Sequence, residues 1–179
     1  SGQPSPMELG PSRKDGALFV VGVGASAGGL EALESFFEHM PAECGMAFVV
    51  IQHLSPDYKS LMDELLARRT QMPIHHAENG MLVERENVYL IPPRTELRIH
   101  EGRLDLREVA TTDGLHLPIN AFLESLAADF GEQSISVILS GSGSDGARGV
   151  RAIHEAGGLV VVQSQDSAAF DSMPRSALE

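Results

Sequence analysis

"ALFVVGVGASAGGLEAL", residues 17–33, carries two kinds of patterning in one stretch. Ala17–Gly24 is a nearly unbroken apolar run rich in valine, as expected of a strand buried on both faces. Leu30, Leu33, Phe37 and Met40 then recur at spacings of 3, 4 and 3, one stripe of an amphipathic helix that Pro41 stops. Between the two lies a cluster of small residues with one serine, Ser26, at its centre. A buried strand turning at once into a helix is the first half of a βαβ unit, and it places the chain in the α/β class.

The same alternation continues along the chain. Ala47–His53 is a second buried-strand run, and Ser55-Pro56 reads as the cap and first position of a helix. Leu61, Met62, Leu65 and Leu66 would form the buried face of that helix. Asn87–Ile91 reads as a strand ended by Pro92-Pro93, and Glu96–His100 and Arg103–Arg107 alternate around Glu101-Gly102 as a hairpin. Helical spacing returns with Ile119, Phe122, Leu123, Leu126 and Phe130. Ser136–Ser140 is a further strand, running into the glycine-rich GSGSDG; a helix with Ala147, Val150 and Ile153 follows, ended by Gly157-Gly158, then a last strand LVVVQ. The expected architecture is three-layer α/β/α, a doubly wound, mostly parallel sheet with an antiparallel hairpin at one edge. In such sheets sites form beyond the carboxyl ends of the strands.

Composition narrows the function classes. The 179 residues suit one domain, and 42% hydrophobic against 21% charged residues is a globular balance. A formal charge of −12 argues against a nucleic-acid partner, and no apolar stretch approaches a membrane span. Cys44 stands alone, so no internal disulfide or thiolate zinc site is expected and a reducing, cytoplasmic setting is the simplest reading. Residues 1–15 (SGQPSPMELGPSRKD) read as a flexible leader, with Ser1-Gly2 as a cloning remnant, ahead of one domain over 16–179.

Three strand ends carry three polar residues: Ser26, His53 and Asp145. A free hydroxyl is a poor nucleophile at neutral pH, so an imidazole must take its proton, and a carboxylate must orient that imidazole. Gly24-Ala25-Ser26-Ala27-Gly28 fits the G-x-S-x-G nucleophile elbow in its required strand–helix setting. The Ala27 amide, near the start of the following helix, is a natural oxyanion donor. Each residue also has a purely structural reading: Ser26 as a turn residue, His53 as a strand-end histidine bonded to backbone, Asp145 as a cap on the helix that begins beside it. The rival function is dinucleotide binding by Gly22, Gly24 and Gly28-Gly29. Ala27 breaks the G-x-G-x-x-G form, and Gln52-His53 stands where an acidic residue would hold ribose, so hydrolysis is the better fit.

The segments VGVGASAGGLEAL (21–33), FVVIQHLSP (48–56), VYLIPP (88–93), SVILSGSGSDGARGVRAI (136–153) and MPRSA (173–177) together resemble the catalytic domain of the chemotaxis protein-glutamate methylesterases, the CheB family. The resemblance implies a Ser26, His53, Asp145 triad, in a chain order unlike that of the common α/β-hydrolases. It implies hydrolysis of glutamate γ-methyl esters on chemoreceptor helices, with glutamine deamidation in many members, and no metal or organic cofactor. It also implies that the Ser142 amide joins that of Ala27 in the oxyanion hole.

Departures from the family pattern cluster near the site. Ala27 replaces the usual threonine after the nucleophile, Ser140-Gly141-Ser142-Gly143 replaces Thr-Gly-Met-Gly, and Ser172 replaces a glycine. The wording is most similar to methylesterase domains of fusion proteins that carry a CheR-type methyltransferase, which implies such a covalently linked partner. The departures motivate a second reading, a regulatory binding module that keeps the fold. Structural roles are expected for His75-His76, His39 and His154, a turn role near the site mouth for His116, and a solvated face for Arg94 and Arg98.

Overall fold

The computed structural model describes residues 17–52, 62–109 and 116–178. The valine-rich run is β1 (Phe19–Ala25), and its alternating side chains enter two separate cores. After it come α1 (Gly29–Glu38), β2 (Met46–Gln52), α2 (Met62–Ala67), β3 (Ile74–His76) and β4 (Val88–Leu90). The chain continues through β5 (Thr95–His100), β6 (Arg103–Glu108), α3 (Pro118–Phe130) and β7 (Ser134–Ile138), then α4 (Ala147–Glu155), β8 (Leu159–Val162) and α5 (Ser172–Leu178).

Six strands form one sheet in the order β3-β4-β2-β1-β7-β8, with every pairing parallel. On one face Val21, Val23, Phe48 and Val50 pack against Leu33 and Phe37 of α1 and Met62 and Leu66 of α2. On the other, Val20, Val49, Ile51 and Ile138 meet Ile119, Phe122 and Leu126 of α3 and Val150 and Ile153 of α4. The expected three-layer, doubly wound arrangement is what the chain adopts.

The hairpin forms a two-stranded sheet of its own. Glu101 and Gly102 both take positive φ, 50° and 75°, as a two-residue primed turn requires. Asp129 on α3 accepts their two amides at 2.9 and 3.0 Å, and Ser125 accepts the Ile99 amide at 3.0 Å. β6 also bonds to the segment leaving edge strand β3, with Gly80 N donating to Leu104 O at 2.7 Å. The hairpin is thus fastened to α3 and to a loop.

Local differences from the sequence reading have plain causes. α1 ends at Glu38 with His39 as its cap, so Met40 lies past the helix. β7 starts at Ser134, because ladder bonds need no apolar side chain; Ser134 and Ser136 are fully buried within it. His75-His76 belong to β3. α5 was not foreseen; Pro174 sits in its first turn, where a missing amide costs nothing. The leader at 1–15, His53, the Ser55-Pro56 cap and Leu61 lie outside the described residues. No helix among the described residues is long and apolar enough to cross a membrane.

Gly22 and Gly24 face α3, where an added Cβ would lie 2.6 Å from Leu123 Cδ2 and 2.8 Å from Ile119 Cγ2 respectively. These glycines serve close helix packing, which removes them from any phosphate cradle. Gly22→Ala or Gly24→Ala should cost about 1–3 kcal/mol of stability through overpacking, read as a lower urea midpoint.

Candidate active site

Connections from β1 run to β2 on one side of the sheet, while β7 and β8 lie on the other, so the carboxyl ends of β1 and β7 meet at the reversal of strand order. Ser26 follows β1 directly. Its amide donates to Ser140 O at 3.0 Å, which ties the turn after β1 to the segment after β7. Ser140 Oγ tightens the same join, donating to Ala27 O at 2.8 Å and accepting from Phe170 N at 3.0 Å.

The Ser26 hydroxyl is half-buried and accepts the Ser142 amide at 2.9 Å. Its own proton points to Met173 Sδ at 3.4 Å, a weak acceptor. Gly141 separates the two groups: a Cβ there would sit 2.5 Å from both Met173 Sδ and Ser26 Oγ, so only glycine lets the loop approach this closely. The Ala27 amide has no acceptor among the described residues.

Asp145 is 5% exposed. Its two carboxylate oxygens accept the amides of Ile119 and Asn120, each at 3.0 Å, at the start of α3. Asn120 returns the favour to α4, with Oδ1 accepting Gly146 N at 3.0 Å and Gly149 N at 2.8 Å. The local reading of Asp145 as a cap on its own helix is therefore not what the chain does. The carboxylate caps the neighbouring helix, and Asn120 supplies α4.

Ser26 and Asp145 line one crevice of about 380 Å³ with His116, Leu117, Ser142, Gly143 and Ser144. His53 lies outside the described residues, directly after Gln52, which is registered against Ala25 at the end of β1. Of the candidate residues, the crevice brings together Ser26, Ser142 and Asp145, with Ala27 next in chain to Ser26.

Sequence reasoning gave no role to Asn120, Ser140 or Met173. Asn120 offered a signal, a polar residue within the apolar stripe of a helix's first turn. Several other singled-out residues are accounted for structurally. His75 bonds Asn87 Oδ1 at 2.7 Å and stacks on Tyr89. His76 bonds Asp63 at 3.2 Å, which holds that carboxyl below its ordinary range. His39 Nδ1 bonds Ser35 O at 2.8 Å, and Arg98 pairs with Glu96 on an exposed face.

A CheB methylesterase family model matches residues 21–179. The chain belongs to the CheB methylesterase family. A putative protein-glutamate methylesterase/protein-glutamine glutaminase of Leptospira interrogans is 31% identical over 158 residues, 88% of this chain and 82% of that protein. A protein-glutamate methylesterase/protein-glutamine glutaminase of Geobacter metallireducens is 29% identical over 164 residues, 90% of this chain and 47% of that protein. An uncharacterized 104.1 kDa protein of Rhodobacter capsulatus is 50% identical over 119 residues, 65% of this chain and 12% of that protein. The chain thus spans about half or less of the length of the last two relatives. The CheB methylesterase catalytic domain of Thermotoga maritima has the same fold, with a TM-score of 0.79 at 24% identity, covering 89% of this chain and 87% of that one.

Within this CheB-type fold the α3–α4 exchange is a stability element as well as part of the crevice. Asn120→Ala would leave two buried amides of α4 without an acceptor. A loss of about 2–4 kcal/mol is expected, measured by chemical denaturation.

Proposed function

We propose that the protein is a serine hydrolase that removes γ-methyl esters from glutamate side chains of chemoreceptors or similar signalling proteins. The carrying observation is the Ser26 hydroxyl, set at a strand–helix elbow and bonded at 2.9 Å by the Ser142 amide in the crevice that Asp145 also lines. Ser26 Oγ attacks the ester carbonyl while His53 takes its proton. Asp145 orients the imidazole and stabilises the cation that forms. The amides of Ala27 and Ser142 receive the oxyanion. Collapse expels the methoxy group, which leaves as methanol with the proton from His53. Water, deprotonated by His53, then cleaves the glutamyl–Ser26 ester and frees the glutamate carboxylate. A glutamine side chain would follow the same course with ammonia leaving. No step requires a metal or organic cofactor.

The assignment of His53 is supported by the register of β2, whose last described residue pairs with Ala25. The binding-module reading rests on Ala27 and Ser142, yet both act through backbone amides that a changed side chain leaves in place. The names of the relatives in Leptospira and Geobacter support the substrate class. The match to a small part of a large Rhodobacter protein supports a setting within a longer polypeptide; a CheR-type methyltransferase as the linked partner rests on the sequence resemblance alone. A cytoplasmic location belongs to the same reading, in keeping with the single Cys44.

Purified protein should release methanol from methylated receptor membranes, and Ser26→Ala should abolish that release; methanol release by the variant at the unaltered rate would sink the assignment. Ser142→Pro, which deletes the amide, should lower kcat about 10²–10³-fold. Ser142→Met, which keeps the amide, should retain most of the activity in the same methanol assay.

A further inference from the structure

We infer that Ser172 is a positioning residue that holds the Ser142 amide against the Ser26 hydroxyl; this rests on the esterase reading above. Ser172 Oγ accepts the Gly143 amide at 3.0 Å and donates to Gly141 O at 3.3 Å, so one hydroxyl grips the residues on both sides of Ser142. A hydroxyl has one proton to donate and lone pairs to accept, and this geometry uses both capacities.

Without that grip the loop has little else to hold it on the far side of Ser142. Gly141 is anchored independently, its amide on Phe170 O at 2.9 Å and its carbonyl on Met173 N at 3.0 Å. Beyond it, Ser142, Gly143 and Ser144 are all exposed. Gly143 has a φ of 89° and nothing within 4 Å of where a Cβ would stand, so packing does not fix it. A glycine in open space has the largest conformational freedom of any residue. The Ser172 hydroxyl restrains that freedom one residue from the amide that must point at the reacting centre. Both hydrogen bonds of the Ser172 hydroxyl run to the loop and neither to an amide of α5.

A loosened donor affects the transition state more than substrate binding, since the oxyanion forms only on the way to it. Ser172→Ala should lower kcat for methanol release about 10–100-fold, below the full loss of a donor, with KM within about twofold. Ser172→Gly should match it, and Ser172→Thr, which keeps the hydroxyl, should restore most of the rate. Inactivation by a fluorophosphonate, followed by intact mass, should slow in the same order, because the phosphonyl oxygen occupies the oxyanion position. Hydrogen exchange at the Ser142 amide should quicken in Ser172→Ala. Wild-type inactivation rates in Ser172→Ala, or equal slowing in Ser172→Ala and Ser172→Thr, would overturn the assignment of Ser172 and leave the esterase reading intact. Failure of the unaltered protein to be labelled, or equal labelling of Ser26→Ala, would overturn the esterase reading itself.

Discussion

Two helices in this fold have first-turn amides accepted by a side chain that lies in, or just ahead of, the other. Asp145, just before α4, accepts two amides of α3, and Asn120, in α3, accepts two amides from the start of α4. The opening amides of a helix have no partner within it, and burying them unpaired is costly. Asp145 and Asn120 are 5% and 4% exposed, so water is a poor substitute here. Four bonds in a closed exchange fix where the two helices begin relative to each other. The far end of the loop between β7 and α4 is fixed with them at Asp145, three residues beyond Ser142.

The exchange depends in turn on how closely α3 lies on the sheet. Gly22 and Gly24 of β1 leave room for Leu123 and Ile119, and the helix start comes down near the carboxyl rim. From there its amides reach Asp145, while β1 delivers Ser26 to the same rim. The glycines that resemble half of a nucleotide-binding turn therefore act at a distance on the site, by letting a helix approach. A single strand thus contributes the serine through its end and, through its missing side chains, the place of the acid.

The features legible in the sequence are those written as local periodicity. The apolar run of β1, the stripe of α1 as far as Phe37 and the Glu101-Gly102 turn each follow from neighbouring residues, and each appears as expected. Ser26 was legible because its elbow requires small residues on both sides. The capping of α3 was not, since Asp145 and Asn120 are 25 residues apart and only packing brings them together. α5 was hidden for another reason: its seven residues include a proline and two serines, and no apolar stripe announces them. Ser172 could be noticed as a departure from the family pattern, but its partners, Gly141 and Gly143, lie 31 and 29 residues away. The hairpin's place followed the same rule. Its strands and turn were local, whereas its attachment to Asp129 and Ser125 was tertiary.

The three departures around Ser26 have a common physical sense. At Ala27 and Ser142 the side chain changes and the backbone amide remains, and it is the amide that the proposed mechanism uses. A bulky apolar side chain at 142 would have helped to bury its loop, but Ser142 is exposed and contributes no such burial. Something else must then keep a glycine-flanked loop in place. Ser172 adds a hydroxyl where the family commonly has none, and that hydroxyl bonds the two residues beside Ser142. Where packing is absent, a directional side-chain bond holds the residues beside Ser142, and the short serine side chain has little rotamer freedom to lose in making it.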